Sequence, residues 1–365
     1  MARGRHAGPV QPDAEDLARY NKRPRFPRPV SGSILMFRHL SVYAFGLCFC
    51  VVVLGAFVRL SDAGLGCPDW PGCYGHVGVP ETVGEVSAAN AAFPERPVEA
   101  HKAWKEMVHR YAAGMLGLLI LGMSITSVLQ HRKRKLPHVL VGLVIFQAVL
   151  GMWTVTLLLK PLVVTSHLIG GMTILALLAL VSLRERDWMA GWPVPTSNHM
   201  PHFSVAALVM VCLQIFLGAW TSTNYAALAC ADFPTCHGKL WPETDFAQGF
   251  TLWHGLGINY EFGVLDGPGR TAIHMAHRVG ALLTAIVVGA LIVRLLRETG
   301  ASNRWRRLGV ILLLALTLQI ALGIASVVFH LPLPVATAHN AGAALLLLVI
   351  VAINWAVFNS RRIRQ

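Results

Sequence analysis

Eight stretches of the sequence are apolar over a length that can cross a lipid bilayer. They run approximately over 38–58, 109–129, 138–158, 163–182, 203–222, 272–293, 308–329 and 335–357. A helix of about 20 apolar residues spans the hydrocarbon core, and it satisfies its own backbone hydrogen bonds where lipid offers no partner. Only 13% of the 365 residues are charged, against about 25% in a soluble domain. The sequence therefore predicts an all-α integral membrane protein with eight transmembrane helices.

Basic residues are concentrated at one end of these spans. They precede the first span, follow the second and the fourth, lie between the sixth and the seventh, and end the chain. Positively charged loops stay in the cytoplasm, so we expect both termini to be cytoplasmic and the long loops at 60–108 and 223–271 to be periplasmic. The first 33 residues lack the apolar core of a signal peptide, and a bacterial inner membrane is favoured. The net charge of +13 is then a topology signal, and it requires no nucleic-acid partner.

The sequence repeats itself at about half its length, with both copies in the same orientation. The loop segments 67–73 and 230–236 share the pattern C-x-D-aromatic-P-x-C, and 147–167 aligns without gaps to 319–339. Such a repeat predicts two tandem, pseudo-symmetric four-helix bundles. The expected divisions are a cytoplasmic tail at 1–37, an amino-terminal half at 38–182, a cytoplasmic linker at 183–202, a carboxy-terminal half at 203–357 and a tail at 358–365.

Four of the sixteen histidines recur in register, near the outer starts of the even-numbered spans: His109, His167, His277 and His339. Ionisable groups within a membrane are costly and usually functional. Two imidazoles that face a slot between helices can bind one haem iron from opposite sides, and glycines near them leave room for a flat macrocycle. Zinc or copper would take more close ligands than each half offers. The alternative is that each histidine only forms a hydrogen bond with a neighbouring carbonyl. The recurrence of four histidines in register makes this alternative less favourable.

The repeat is broken at one informative position, three residues before the first histidine of each half. Glu106 stands before His109, whereas His274 stands in the other half. Residues at i and i+3 share a helix face, so Glu106 would approach the same ligand as His109 and could accept a proton there. The alternative is a surface carboxylate paired with Lys102 or Lys105. The asymmetry favours a catalytic role for Glu106.

Arginines and cysteines are also paired by the repeat. Arg110 and Arg278 each follow a histidine, and two interpretations stay open: partners of haem propionates or anchors at the membrane interface. The loop cysteines lie on the oxidising side of the membrane, which predicts the disulfides Cys67–Cys73 and Cys230–Cys236. A structural role, in which each disulfide closes its loop, is favoured over thiol exchange with a redox partner.

The segment GAFVRLSDAGLGCPDWPGCYG, followed by EMVHR, IHMAHR and the TSH and TAH histidines, resembles the heme A synthase family over residues 38–357. The resemblance implies an oxidoreductase that converts a methyl group of heme O to the formyl group of heme A, which terminal oxidases require. It implies that His109 and His167 bind the substrate heme O, that His277 and His339 bind a heme b cofactor, and that Glu106 is essential. The implied partners are heme O, membrane lipid, a heme O synthase and an electron acceptor.

A substrate iron with both His109 and His167 bound has no free position for dioxygen. We therefore expect electrons to be removed from the methyl group and water to be captured near Glu106, twice, before dehydration to the aldehyde. One alternative is a diheme b-type cytochrome that carries electrons without modifying haem, which leaves Glu106 unexplained. Another is a transporter, which predicts helices interrupted at mid-membrane, and the sixth and seventh spans show no interruption.

Overall fold

A computed structural model of the protein describes residues 32–130, 134–186, 194–298 and 303–362. Most of the predicted amino-terminal tail, the middle of the predicted linker and the last three residues lie outside these ranges. The described residues form ten α-helices and no strand. The helices are α1 (Gly32–Leu60), α2 (Val83–Ala92), α3 (Ala100–Leu129), α4 (Leu136–Thr156), α5 (Pro161–Glu185), α6 (Met200–Thr223), α7 (Phe246–Gly249), α8 (Gly267–Leu296), α9 (Arg304–Val328) and α10 (Leu333–Arg362).

Eight of these helices are long and apolar enough to cross a membrane, which confirms the predicted number of spans. The short helices α2 and α7 lie in the two long loops. Helices α3 and α8 begin at Ala100 and Gly267, earlier than hydropathy indicates, because polar residues can continue a helix beyond the apolar region. His109 and His277 consequently lie well inside their helices and not at the start.

The eight long helices pack as two groups of four. Helices α1, α3, α4 and α5 each pack against the next and close a ring through α5 and α1, and helices α6, α8, α9 and α10 do the same. We call these groups the amino-terminal ring and the carboxy-terminal ring. Contacts of α1 and α5 with α10, and of α5 with α6, join them. One hydrophobic core runs through both rings.

The two cysteine loops have matching local structure. Disulfides Cys67–Cys73 and Cys230–Cys236 are both present, as predicted. The Asp69 carboxylate accepts the N–H groups of Tyr74 and Gly75, and the Asp232 carboxylate accepts those of His237 and Gly238. The Thr235 hydroxyl and these backbone donors hold the pKa of the Asp232 carboxyl well below its usual range. Each loop is therefore closed twice, by a disulfide and by an aspartate.

The second long loop reaches across to the amino-terminal ring. The Lys160 ammonium group, in the connection between α4 and α5, donates to the Gly255 carbonyl, and this lysine is only 1% exposed. The Tyr260 N–H donates to the Leu158 carbonyl over 3.0 Å. These contacts fix the second long loop over the connection between α4 and α5.

Candidate functional site

A cavity of about 460 Å³ lies in the amino-terminal ring, and both His109 and His167 line it. This volume is in the range of small-molecule and cofactor sites. Glu106 and Arg110 line the same cavity. Its walls are mostly apolar, and many of the lining residues are small, among them Gly55, Ala56, Gly64, Ala113, Gly114, Gly117, Ala148, Gly151 and Gly171. The structure thus brings together the two histidines and the glutamate that the sequence singled out in this half.

Each of the four histidines packs its ring against a glycine of the preceding long helix. A Cβ added to these glycines would lie 2.9 to 3.2 Å from the Cε1 atom of the ring. The pairs are His109 with Gly55, His167 with Gly151, His277 with Gly218, and His339 with Gly323. The 2.9 Å contact at Gly55 is shorter than real Cβ atoms show, so a side chain there would displace the His109 ring. The other three contacts are tighter than nine in ten real Cβ contacts, so a side chain there would require the ring to shift by a few tenths of an ångström. The four imidazoles therefore share the same kind of contact with a glycine of the preceding long helix.

The chemistry of the site fits a haem. Among the described residues, no three His, Cys, Asp or Glu side chains converge to bind a bare metal ion. Two imidazoles are nevertheless enough for an iron that a porphyrin already holds by its four nitrogens. The Nδ1 atoms of His109 and His339 are buried and have no hydrogen-bond partner among the described residues.

Glu106 is almost fully buried, with 4% of its surface exposed. Its Oε2 atom accepts the Cys67 N–H over 2.9 Å, and its Oε1 atom forms an ion pair with Arg110 over 2.5 Å. These contacts aim the carboxylate at the boundary between the cysteine loop and the cavity. The surface interpretation of this residue was wrong, because Lys102 pairs with Glu99 instead and Lys105 lies over the Phe57 ring.

His274 occupies the equivalent position in the carboxy-terminal ring. Its Nδ1 atom lies 3.0 Å from the Ala226 carbonyl oxygen and 3.3 Å from the Cys230 nitrogen. Glu106 and His274 thus contact the same part of their respective loops. The difference between the rings at this position is one of chemistry, a carboxylate against an imidazole, and not one of placement.

Arg110 and Arg278 direct their guanidinium groups at the cysteine loops. Arg110 donates to the carbonyls of Asp69, Pro71 and Gly72. Arg278 donates to the carbonyls of Cys230, Asp232 and Thr235 over 2.7 to 3.0 Å. Through these hydrogen bonds, each arginine links a disulfide loop to the helix that carries His109 or His277. Sequence reasoning missed this role, because backbone acceptors have no signature in the sequence.

Arg59 is a cavity residue that the sequence argument did not single out. It lies in the last turn of α1, donates to the Ser222 carbonyl over 2.8 Å, and stacks on the Tyr225 ring at 4.1 Å. Its Nε atom is buried without a partner among the described residues. The available signal was a basic residue at the end of a span opposite to the end where most basic residues are concentrated.

The cavity also touches the carboxy-terminal ring. Ala219, Ser222 and Thr223 of α6 line it, as does Asn340, the neighbour of His339 on α10. The Thr165 and Thr223 hydroxyls lie 3.1 Å apart and link α5 to α6. The site of the amino-terminal ring therefore lies at the seam between the two rings.

The glycine contact yields a prediction with a control in the same helix. Substituting Gly55→Ala places a Cβ 2.9 Å from the His109 ring, so the ring must move, and we expect haem bound in the amino-terminal ring to fall several-fold. A Cβ at Gly46 in α1 meets nothing within 4 Å, so Gly46→Ala should leave the haem content unchanged. The helix itself should not be weakened, because alanine favours a helix by about 1 kcal/mol over glycine. Absorption of the purified variants measures both. Equal haem content in the two variants would show that the glycine does not position His109.

Comparison with known proteins gives a consistent result. The family model of the COX15-CtaA cytochrome oxidase assembly proteins matches residues 38–351. A heme A synthase of Shewanella oneidensis is 46% identical over 306 residues, which covers 84% of this chain and 92% of the relative. Heme A synthases of Caulobacter sp. and Allorhizobium ampelinum are 29% and 27% identical, and the alignments cover 85% and 83% of this chain and 93% and 85% of the relatives.

Proposed function

Because this chain belongs to the COX15-CtaA family of cytochrome oxidase assembly proteins, we propose that it oxidises a methyl group of heme O to the formyl group of heme A. Relatives named heme A synthase support a role in heme A biosynthesis. The observation that carries the finer proposal is the convergence of His109, His167 and Glu106 on one cavity of the amino-terminal ring.

The two rings have different tasks in this proposal. His109 and His167 hold the substrate heme O, and His277 and His339 hold a resident heme b. The support is a chemical difference between the rings beside the first histidine of each: a carboxylate stands at position 106 and an imidazole at position 274. When bound, heme b supplies a one-electron redox centre that can pass electrons to an external acceptor.

The reaction that we propose uses water as the oxygen source. In each of two rounds the methyl carbon loses two electrons and a proton, and water adds to it and loses a second proton. The four electrons leave through the acceptor, and the resulting diol loses water to give the formyl group. Glu106 accepts a proton at the cavity wall, where the Cys67 N–H and Arg110 fix its carboxylate. Buried carboxylates placed in this way serve as general bases.

A diheme cytochrome that carries electrons without changing haem is the second candidate. It is disfavoured because it gives no task to the buried Glu106. Its four histidines would be equally well explained, so the distinction depends on the fate of the bound heme O.

We further propose that the protein is a multi-pass protein of a bacterial inner membrane. Eight candidate spans support it. Both termini would lie in the cytoplasm and both disulfide loops in the periplasm, where disulfides persist. The matching contacts of Asp69 and Asp232, and of Arg110 and Arg278, support two tandem pseudo-symmetric halves.

Isotopic labelling tests the proposed chemistry. The purified protein, supplied with heme O and an electron acceptor in isotopically labelled water, should form heme A whose formyl oxygen carries the label, as measured by mass spectrometry. Unlabelled heme A incubated in the same water corrects for exchange of the aldehyde oxygen. Label that derives from dioxygen alone would overturn the water mechanism, and heme O that stays unchanged would favour the electron carrier.

A further inference from the structure

The odd-numbered spans share a second feature beside the histidine-binding glycine. Four residues before the glycine stands a glutamine in three of them, in the segments 147–151 (QAVLG), 214–218 (QIFLG) and 319–323 (QIALG). The first span reads VVVLG over 51–55, with Val51 in place of the glutamine. Residues at i and i+4 share a helix face, so this position lies beside the histidine ring in every case.

The three glutamines contact the three corresponding imidazoles. The side-chain nitrogen of Gln147 lies 3.0 Å from Nδ1 of His167, and that of Gln214 lies 3.0 Å from Nδ1 of His277. The contact of Gln319 with Nε2 of His339 is longer, at 3.5 Å. The glutamine oxygens have no partner among the described residues, so a half-turn of the amide offers an acceptor to a protonated ring nitrogen. Nδ1 of His109 and Nδ1 of His339 are both buried without a hydrogen-bond partner in the described structure. His109 differs from the other three in having no glutamine at the corresponding position of the preceding span.

A second substitution accompanies the missing glutamine. Three residues after His167, His277 and His339 stands a glycine: Gly170, Gly280 and Gly342. A Cβ at these glycines would lie 2.2 to 2.4 Å from the glutamine oxygen, which no real side chain allows. After His109 the equivalent residue is Ala112. Glutamine and glycine thus occur together three times, and both are replaced at His109. The glutamine and the glycine are therefore replaced together, and no amide lies beside the His109 ring.

We propose that His109 is the exchangeable haem ligand of the protein, released when heme O enters and when heme A leaves. The inference rests on the proposed function, in which the amino-terminal ring holds the substrate. An outer hydrogen bond fixes the orientation of a metal-bound imidazole and raises its basicity, and its loss typically weakens a metal site by about 10- to 100-fold. His109 lacks this bond, whereas His167 on the opposite side of the cavity has it. Both proposed ligands of the resident heme b lie beside a glutamine: Gln214 contacts Nδ1 of His277 over 3.0 Å, and Gln319 contacts Nε2 of His339 over 3.5 Å.

The test introduces the missing glutamine and glycine beside His109. In the double variant Val51→Gln/Ala112→Gly the glutamine has the space that Gly170 provides beside Gln147. The protein is purified with its haems, reduced with dithionite and mixed with carbon monoxide, which binds a ferrous haem only after an axial ligand leaves. We expect the carbon monoxide reaction of the amino-terminal haem to slow by about tenfold or more. The single variant Val51→Gln, which keeps the Ala112 Cβ, should bind less haem than the double variant.

Two reverse variants serve as matched controls. Gln147→Val/Gly170→Ala removes the pair from His167 and should speed the carbon monoxide reaction of the same haem. Gln214→Val/Gly280→Ala does the same at His277 and should make the resident heme b reactive. Wild-type rates in all three double variants, with normal haem content, would overturn the proposal.

Failure of the proposed function is distinguishable from failure of this inference. If His109→Ala/His167→Ala leaves the number of haems per protein unchanged, the amino-terminal ring holds no haem and the proposed function fails. If that variant loses one haem but installing the pair at Val51 and Ala112 changes no rate, only the exchangeable role of His109 is wrong.

Discussion

Replacing Glu106 by glutamine is expected to lower the rate of heme A formation at least about 100-fold, the usual contribution of a positioned general base. Glutamine preserves the size of the side chain, and its carbonyl can still accept the Cys67 N–H that Glu106 accepts over 2.9 Å. It cannot accept a proton under these conditions or form the ion pair with Arg110. The haem content should remain that of the wild type, because Glu106 is not an iron ligand in the proposal. Heme A formed from heme O per mole of protein measures the effect.

Two further variants sharpen this result. Glu106→Asp restores the carboxylate on a shorter side chain and should recover part of the rate. Glu99→Gln, just before α3, removes an exposed carboxylate that pairs with Lys102 and should leave the rate near that of the wild type. Full turnover in Glu106→Gln would refute the catalytic assignment. Loss of haem from the same variant would instead assign Glu106 a structural role through the cysteine loop.

The features that were predictable from the sequence are those fixed by single, local physical constraints. Eight spans follow from hydropathy, since lipid leaves a long apolar segment no alternative to a helix. The disulfides Cys67–Cys73 and Cys230–Cys236 follow from their spacing and repetition. The meeting of His109 and His167 at one cavity follows from their equal depth in two spans of the same four-helix half. Each of these conclusions needed no knowledge of a distant contact.

The features that escaped prediction depend on tertiary contacts. Arg110 bonds to loop carbonyls, and any residue type could have supplied those acceptors. Arg59 binds a carbonyl of α6, so its place in the cavity depends on how the two rings meet. Gln147 stands in the aligned segments of the repeat, but nothing in the pattern pairs it with a histidine until the structure places the amide beside the ring. The predicted starts of α3 and α8 were also too late, because hydropathy indicates which residues can lie in the membrane and not where a helix begins.

Removing one ligand from each ring should separate the two haem sites. We expect His277→Ala to lose the resident heme b and to lower heme A formation at least about 100-fold, since loss of even an outer partner of a metal ligand costs up to about that much. The amino-terminal ring should still bind added heme O. His167→Ala should show the reverse: heme b retained, and heme O neither held nor converted. Extraction of the haems and identification by mass measure both contents directly.

His101→Ala provides the control for these variants, because His101 is exposed on α3 and faces neither site. Its haem content and rate should equal those of the wild type. His167 and His277 each pack against a glycine, and the distances from a Cβ built at Gly151 and Gly218 to the two rings are similar, at 3.2 and 3.1 Å. The two substitutions therefore remove imidazoles with the same glycine contact and the same glutamine neighbour. If either variant removed both haems at once, the rings would form a single binding unit, and the division into substrate and cofactor halves would be wrong.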